Sequence, residues 1–396
     1  MTESTPSSYR FVIVFIVAVA SFLGNFVIFQ MAGLAPQIIG AIGLSGAKFG
    51  LIIGISILTA AILGMPLGAL GDRIGVKPVV AVAMAVTLVG AIGRYATAPS
   101  FGGYLFWMFL IGATNAALNA NFIKVLGVWL QPKEIGIGVG CYLTGIGLGQ
   151  AASVASGSRF ATMGSAYLCA VILAVLILIL WLFLIKNPPN LKKVEPLPIS
   201  QTLKFVVGKK DIWVGGLGIF FMLGTYVTVT SFTATFLTSA KGVPAGTAGL
   251  CASIIALFML IGALTSDRLA KLTGSSRLFL FLTGVVSAGG VLLTLTVSYG
   301  LMTFIALALT GLASGAFCSY ILSLPMLLSY VGPVYAGSAG GLISTLQSAG
   351  GFLLPYLFPM LAGNENYSGL LSWVAAGFFL MGVVTLLLPE LVKKSR

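Results

Sequence analysis

The stretch GALGDRIGVKP, residues 68–78, separates two long apolar runs with a short charged segment. It places Asp72, Arg73 and Lys77 in a chain of 396 residues of which only 7% are charged. Soluble globular proteins carry about 25% charged residues, so this composition indicates a membrane protein. The stretch is therefore predicted to be a loop between two membrane-spanning helices.

The rest of the chain repeats this pattern of apolar runs and short polar breaks. Hydrophobic residues make up 58% of the sequence, and the mean hydropathy is +1.10. A helix needs about 20 apolar residues to cross a hydrocarbon core about 30 Å thick. We therefore predict an all-α membrane protein with twelve transmembrane helices, at residues 11–35, 49–70, 79–98, 103–130, 136–157, 165–186, 212–239, 245–266, 278–297, 301–324, 336–361 and 369–389.

A long polar segment divides the predicted helices into two sets of six. Residues 187–211 predict a cytoplasmic linker between an N-terminal half, 1–186, and a C-terminal half, 212–396. Sixteen of the 21 Lys and Arg residues lie on the linker's side of the membrane, four lie on the other side, and Lys124 lies within a span. This asymmetry predicts a multi-pass protein of the cytoplasmic (inner or plasma) membrane with both termini in the cytoplasm.

Three short similarities relate the two halves. Asp72-Arg73 is followed 195 positions later by Asp267-Arg268. LIGATNAALNA, 110–120, aligns with LTGLASGAFCS at an offset of 199, and GVGCYLTG, 138–145, aligns with AGGLISTL at an offset of 201. Together they predict an internal duplication. Parallel repeats related by an axis along the membrane normal are typical of transporters that bind substrate between the repeats.

The charged stretch resembles the signature loop of the major facilitator superfamily, which has the pattern G-x-L-x-D-R-x-G-x-K. Residues 263–277 are similar to the second, degenerate copy of that loop, with Ala270 in place of its glycine. The resemblance implies a twelve-helix transporter that works by alternating access. It also implies a conformational latch formed by Gly68, Asp72, Arg73, Gly75, Lys77, Asp267 and Arg268.

Residues 119–150 carry a finer resemblance. They are similar in layout to the cyanate permease-like and nitrate/nitrite porter branches, which have polar or basic residues in helix four and a glycine-rich helix five. Between these helices lies a W-x-x-P turn, here Trp129 to Pro132. The glycines of helix five lack the Gly-Pro pair of drug antiporters, so the drug-exporter branch is not favoured.

Two interpretations of the Asp72-Arg73 pair are open. A carboxylate at the end of one helix can meet the N–H groups at the start of another helix, or a neighbouring Arg, and so hold one conformation. Alternatively, Arg73 and Lys77 only anchor the loop at the anionic inner leaflet.

Lys124 also has two interpretations. A Lys near the centre of a spanning helix costs about 2.5–3.5 kcal/mol on insertion scales, and no Asp or Glu lies in any predicted span. An anionic substrate is one partner for its charge, and snorkelling of the ammonium to the cytoplasmic interface is the alternative. Asn121 lies about 60° from Lys124 around the helix, whereas Asn115 and Asn119 lie on nearly the opposite side.

Further polar residues in the predicted spans are candidates for substrate contacts, although each can equally serve helix packing. Arg94 and Arg159, at the predicted outer ends, are interface anchors or attract anions to the outer mouth. The candidate substrate-binding residues are Lys124, Asn121, Asn115, Asn119, Asn25, Tyr142, Gln150, Tyr226, Tyr320 and Gln347.

The residues that are missing narrow the function. The sequence has no His and no carboxylate in a predicted span, so exchange or uniport is favoured over proton symport. It has no phosphate-binding loop, so pumping driven by ATP hydrolysis in this chain is not predicted. Its four cysteines lie in apolar runs, so a disulfide framework is not predicted. We predict no enzymatic activity, no cofactor and no metal site. The basic residues are scattered among loops, which argues against nucleic-acid binding.

We therefore predict a secondary active or facilitative transporter that moves a small anionic solute by alternating access. Its expected partners are that solute and membrane lipid, and we expect a monomer. One alternative is an exporter of hydrophobic or amphiphilic compounds. Another is a transport-like receptor or scaffold without flux.

Overall fold

A computed structural model describes residues 9–130, 134–157, 159–186, 205–328, 330–363 and 366–391. Within its helices, the side chains of residues 65, 69, 72, 73, 123, 124, 127, 128, 135–137, 139, 326 and 332–338 are outside the description. The described residues form helices and connecting turns, with no strand among them. This is expected where lipid supplies no hydrogen bonds, because a helix satisfies its own backbone.

The first half contains eight helices in the described residues. The first predicted span consists of α1 and the short α2. The fourth span consists of α5 and α6, and the backbone stays helical at Gly112 between them, with φ −64° and ψ −16°. The helices are α1 Tyr9–Gly33, α2 Ala35–Ile42, α3 Gly46–Ile74, α4 Val76–Ala96, α5 Phe101–Ile111, α6 Ala113–Trp129, α7 Ile135–Gly157 and α8 Met163–Leu184.

The second half contains six helices in the described residues. Each corresponds to one predicted span. They are α9 Lys210–Lys241, α10 Ala245–Thr273, α11 Ser276–Thr296, α12 Leu301–Leu327, α13 Gly332–Ala362 and α14 Tyr367–Thr385.

These helices confirm the predicted all-α architecture of twelve spans in two six-helix halves. Within the described residues, ten helical segments are long and apolar enough to cross a membrane. The two remaining spans are α7 and α13, which are both rich in glycine and serine. Small residues of this kind lower the mean hydropathy of a helix while allowing neighbouring helices to approach closely.

The described residues fall into two compact units. The first lies within Met1–Ile42 and Ile55–Lys193, and the second within Gly43–Gly54 and Val194–Arg396. The first part of α3 thus belongs to the second unit. There the Phe49 ring meets the Phe232 ring edge-on at 5.6 Å. This grouping differs from the division at the linker that the sequence predicts, because glycines in α3 pack directly on α13.

Those α3 glycines are spaced four residues apart on one helix face. A Cβ added at Gly50 or Gly54 would collide with the carbonyl oxygens of Pro355 and Phe352 respectively. Glycine at these positions therefore lets the two backbones touch, as in other small-xxx-small helix contacts.

Within each unit the helices pair in the same way. In the first unit α1 packs on α7 and α8, while α4 packs on α5, α6 and α8. In the second unit α9 packs on α13 and α14, while α11 packs on α12 and α14. The first, third, fifth and sixth spans of each half are therefore equivalent, as an internal duplication requires.

Individual contacts fix the offset between the repeats. A Cβ at Gly112 would collide with the carbonyl oxygen of Ser56, and a Cβ at Gly311 would collide with that of Ile255. Gly311 lies 199 positions after Gly112, and Ile255 lies 199 positions after Ser56. The Thr114 hydroxyl donates to the Thr87 hydroxyl at 2.8 Å, and 200 positions later the Ser287 and Ser314 hydroxyls lie 3.3 Å apart.

The turn after the second span of each half follows the same offset. Gly75 ends α3 with a φ of 95°, and Gly274 ends α10 with a φ of 66°. Both backbones are in the left-handed region that glycine adopts without strain. The predicted equivalence of Asp72-Arg73 and Asp267-Arg268 is therefore corrected by four residues. The first pair lies in the last turn of α3, whereas the second lies a turn and a half before the end of α10.

Glu390 closes the linker-side end of the second unit. Its carboxylate accepts hydrogen bonds from the backbone N–H and the hydroxyl of Ser276, both at 2.6 Å, at the first turn of α11. Arg277 in turn donates to the Leu388 carbonyl. An anion at a helix N-terminus satisfies free N–H groups and interacts favourably with the helix dipole. Glu390 thus ties the chain after α14 to α11.

Adjacent glycines of α11 provide a matched test of the helix contacts. We expect Gly290→Ala to lower the free energy of unfolding by about 1–3 kcal/mol, because its Cβ would collide with Thr310 and the Ala306 carbonyl. Gly289→Ala adds a Cβ to open space and should be neutral or stabilising. Thermal unfolding of the detergent-solubilised protein measures both. Equal effects of the two changes would contradict the contact.

The Glu390 cap provides a second stability test. We expect Glu390→Gln to cost about 1–2 kcal/mol, because it removes the charged acceptor at the start of α11. Asp267→Asn, on an exposed position of α10, should change unfolding by less than about 0.5 kcal/mol. Thermal unfolding near neutral pH measures the stability of both variants. An unchanged unfolding temperature in Glu390→Gln would contradict the capping role.

Candidate functional site

The centre of the first unit is a close contact between α1 and α7. A Cβ at Gly145 would collide with the carbonyl oxygen of Ala18, and a Cβ at Gly149 would collide with that of Phe22. Two of the glycines that the sequence shows in helix five, Gly145 and Gly149, therefore face α1. This contact brings the polar side chains of the two helices together.

Polar groups follow this contact from one helix to the next. The Tyr142 hydroxyl donates to Asn119 Oδ1 on α6, and the Tyr142 carbonyl accepts from the Ser21 hydroxyl at 3.1 Å. Asn25 Nδ2 donates to the Ser21 carbonyl at 2.9 Å. Gln150 Nε2 donates to Asn25 Oδ1 over a long 3.4 Å. We call Ser21, Asn25, Asn119, Tyr142 and Gln150 the polar track.

Neighbouring residues hold the polar track in place. The Phe122 ring stacks on the Tyr142 ring with centroids 3.9 Å apart and an interplanar angle of 10°. Asn115 lies one turn before Asn119 and faces Gly24, where a Cβ would come within 2.5 Å of Asn115 Oδ1. Four predicted site residues of α1, α6 and α7 thus join in one hydrogen-bonded series, with Asn115 beside it.

Asn121 faces a different neighbour. It is fully buried, and its amide donates to the Leu67 carbonyl of α3 at 3.2 Å and to the Ala117 carbonyl at 2.9 Å. Its Oδ1, packed where Gly71 has no side chain, has no hydrogen-bond partner among the described residues. Both amide protons are used by the backbone, which leaves only an acceptor. As placed here, Asn121 stabilises the α3–α6 contact and offers no donor to an anion.

Lys124 lies on α6, one turn after Asn121. Its side chain is outside the described part of the structure, so the two interpretations of its charge remain as the sequence leaves them.

The second unit contains a smaller polar group. Tyr226 of α9 is buried, and Gln347 Nε2 of α13 points to the Cys318 thiol of α12 at 4.0 Å. Farther along α9, Ser231 and Thr235 have buried hydroxyls for which no partner occurs in the described chain. These hydroxyls share one helix face and could not be selected from sequence, because most hydroxyls of α9 bond back to their own helix, as Thr230 does to the Tyr226 carbonyl.

Tyr320 is separated from this group. Its ring meets Phe279 of α11 at 5.4 Å, and its hydroxyl interacts with Ser276 beside the Glu390 cap. The structure therefore places Tyr320 at the linker-side end of α12, where its ring packs against α11.

The predicted latch residues are described only in part. Gly68 faces Ala120 of α6, and the Lys77 carbonyl accepts a hydrogen bond from the Trp181 indole at 3.1 Å. Asp267 and Arg268 are exposed on α10. The side chains of Asp72 and Arg73 lie outside the described residues, so the latch itself stays a prediction.

Arg94 is the largest departure from the sequence analysis. It is not at an exposed outer mouth, because only 2% of it is exposed. Its Nη2 donates to Gln30 Oε1 at 3.0 Å, its Nη1 donates to the Val27 carbonyl at 3.2 Å, and its guanidinium lies 4.7 Å from the centre of the Tyr167 ring. Tyr167 pairs in turn with Tyr104 at 2.9 Å. Arg94 thus joins α1, α4, α5 and α8.

The sequence gives only a weak signal for this arrangement. Gln30, Tyr104 and Tyr167 lie near the predicted outer ends of their helices, level with Arg94. A polar or aromatic residue at the same depth in several spans is consistent with a shared network, but it is equally consistent with interfacial anchoring.

The chemistry of these groups suits a small polar solute better than a metal. Within the described residues, no group of three or more His, Cys, Asp or Glu side chains is placed to hold a metal ion. The polar track consists of amides and hydroxyls, which can donate to an anion without a competing carboxylate.

Comparison with known proteins identifies the family. The sequence profile of the Major Facilitator Superfamily matches residues 14–355. The nitrite extrusion protein of Bacillus subtilis (strain 168) is 24% identical over 349 residues, which cover 85% of this chain and 84% of the relative. The probable nitrate transporter NarT of Staphylococcus haemolyticus (strain JCSC1435) is 23% identical over 366 residues, covering 89% and 90%.

Solved structures agree on the fold. A bacterial homologue of the human lysosomal transporter Spinster, crystallised in an inward-facing and unoccupied conformation, has a TM-score of 0.76 at 16% identity. The match covers 96% of this chain and 95% of that chain. The relatives also agree with the nitrate/nitrite porter-like resemblance of residues 119–150. With a family match that extends from residue 14 to residue 355, the chain belongs to the Major Facilitator Superfamily.

Proposed function

We propose that this transporter moves a small oxyanion of the nitrate or nitrite class by alternating access. The observation that carries the proposal is the polar track of the first unit, where Asn25, Asn119, Tyr142 and Gln150 lie together and the described contacts include no carboxylate. Amide and hydroxyl groups can donate to the oxygens of a planar oxyanion. The names of the relatives point to the same class of solute.

The relatively loose contact between Asn25 and Gln150 supports a binding role for this pair. Their 3.4 Å separation lies beyond the usual range of a strong hydrogen bond, so the amides can exchange this contact for one to a solute at little cost. Gln347 and Tyr226 would supply the corresponding contacts in the second unit. Asn121 and Tyr320 are left out, because their contacts serve the α3–α6 and α11–α12 interfaces.

Lys124 remains the proposed charge contact. A Lys within a predicted spanning helix is costly without a partner for its charge, and no predicted span contains an acidic residue. The transported anion would provide that partner during part of each cycle. Both termini and the linker 187–211 would face the cytoplasm.

The same lack of intramembrane acids and histidines favours exchange or uniport over proton symport. An exporter of hydrophobic or amphiphilic compounds is the second candidate. The stacked Phe122 and Tyr142 rings beside the polar track are the observation that favours it, because they offer an apolar surface for such a compound.

Counterflow in proteoliposomes tests the substrate and Lys124 together. Vesicles loaded with nitrate or nitrite should exchange with labelled nitrate outside, and a neutral solute such as urea should not exchange. Lys124→Ala and Lys124→Gln should lower the exchange rate at least about tenfold, the effect of losing about 1.4 kcal/mol of anion binding. Lys210→Gln, an exposed cation at the start of α9, is the control and should exchange normally.

The outcomes separate the candidates. If the parent protein exchanges no anion but transports a hydrophobic cation or dye, the exporter is correct. If the parent exchanges nitrate and both Lys124 variants do so at the parent rate, anion transport stands and Lys124 is not its charge contact. If no solute moves at all, a receptor or scaffold role replaces transport.

The latch gives a separate prediction for the 68–78 loop. Asp72→Asn should slow nitrate exchange several-fold or shift the resting conformation, because it removes the charge that would hold a neighbouring helix start or Arg. Labelling of single cysteines on the two membrane faces reports the conformation. Asp72→Glu should retain the parent behaviour. Unchanged turnover and unchanged labelling in Asp72→Asn would leave the loop with a topological role only.

A further inference from the structure

Each unit carries one cation at the junction of its first and third spanning helices. In the first unit this is Arg94, in the last turn of α4. In the second unit it is Lys241, at the end of α9. Both lie at the ends of helices that run away from the linker side of the membrane. Neither belongs to the proposed substrate contacts.

Arg94 is held only by neutral groups among the described residues. Besides Gln30 and the Val27 carbonyl, its Nη1 approaches the Met108 sulfur at 3.4 Å, and its Nε is buried without a hydrogen-bond partner. An Arg keeps its charge in proteins, so burial cannot neutralise it. The unit therefore contains a permanent positive charge that no described carboxylate compensates.

Lys241 is in a comparable position. Its ammonium donates to the carbonyls of Thr294 and Val297 at the end of α11, and it lies 5.5 Å from the centre of the Phe236 ring. These partners are again neutral. The charge is half-buried against the helix end.

The internal duplication makes the two positions comparable. Thr294, whose carbonyl receives the Lys241 ammonium, lies 200 positions after Arg94, which matches the repeat offset of the Thr87–Thr114 and Ser287–Ser314 pairs. In the first unit the third helix supplies the cation and the first helix accepts it. In the second unit the first helix supplies the cation and the third helix accepts it. What the two repeats share is the positive charge, not the residue or the helix that carries it.

Helix ends alone account for part of this arrangement, since a cation near a helix C-terminus interacts favourably with the dipole. A buried guanidinium is nevertheless costly in a membrane, and ionisable groups within spans commonly mark ion pathways. A fixed charge in a low-dielectric wall also raises the local concentration of ions of opposite sign.

We propose that Arg94 and Lys241 are charge-selecting residues, fixed cations that favour entry of anions from the membrane face opposite the linker without contacting the substrate. The proposal rests on the proposed transport of a small anion. It goes further by naming residues that set charge preference on one face only.

A comparison of the two faces tests this role. Nitrite and nitrate exchange would be measured with the full-length protein in vesicles of known orientation, with substrate added from either face. Arg94→Met and Lys241→Met should each raise KM about three- to tenfold for entry from the face opposite the linker. They should leave KM for entry from the linker face, and kcat, within about twofold.

Charge-conserving variants separate charge from packing. Arg94→Lys and Lys241→Arg should keep KM near the parent value. Arg159→Met removes an exposed cation and should have little effect, because solvent and salt screen that charge. Raising the ionic strength should increase the parent's KM on the affected face only slightly. Protein shields Arg94 and Lys241 from salt more than it shields the exposed Arg159.

The following results would overturn the proposal. Equal changes of KM on both faces, or an equal loss in Arg94→Lys and Arg94→Met, would assign the residues a structural role. An effect of Arg159→Met as large as that of Lys241→Met would assign the preference to general surface charge. If Arg94→Met does not fold, Lys241→Met, which alters a half-buried residue, decides alone. Failure of the parent to exchange any anion would refute the proposed function itself and is visible before any variant is made.

Discussion

The fold depends on backbones that touch where glycine removes the side chain between them. Lipid is as apolar as leucine, so helices in a membrane gain little from burying apolar surface and associate through close packing and hydrogen bonds instead. Gly145 and Gly149 bring α7 onto α1, Gly112 brings the fourth span onto α3, and Gly311 repeats that contact in the second unit. The polar track exists because of the first of these contacts, since Ser21 reaches the Tyr142 carbonyl only when the two helices lie together.

Most of the architecture could be predicted from sequence because the length of an apolar run is set by the thickness of the membrane. The twelve predicted spans agree with the helices to within several residues. The close contact of the fourth span with α3 was not predicted, because Gly112 looks like any other glycine of a spanning helix until its contact with Ser56 is known. The first span was likewise expected to end near Ala35, although α2 continues it to Ile42.

The candidate site was harder to predict, because helical periodicity gives the angle between two residues but not the neighbour that each one faces. The sequence correctly separates Asn121 from Asn115 and Asn119 around α6. Only the structure shows that Asn121 bonds to the Leu67 carbonyl while Asn119 bonds to Tyr142. Arg94 illustrates the same limit. Its position near a helix end suggested exposure, whereas Gln30 and Tyr167, from two other helices, enclose it.

The turn glycines Gly75 and Gly274 have a consequence for how the two copies came to differ. Aligned on these turns, the position of Asp72 corresponds to Lys271 rather than to Asp267, which lies about 6 Å farther back along its helix axis. The copies therefore carry opposite charges at the same place. Exchanging Asp72 and Lys271 would therefore reverse the charge at this turn in both copies while leaving the net charge of the chain unchanged.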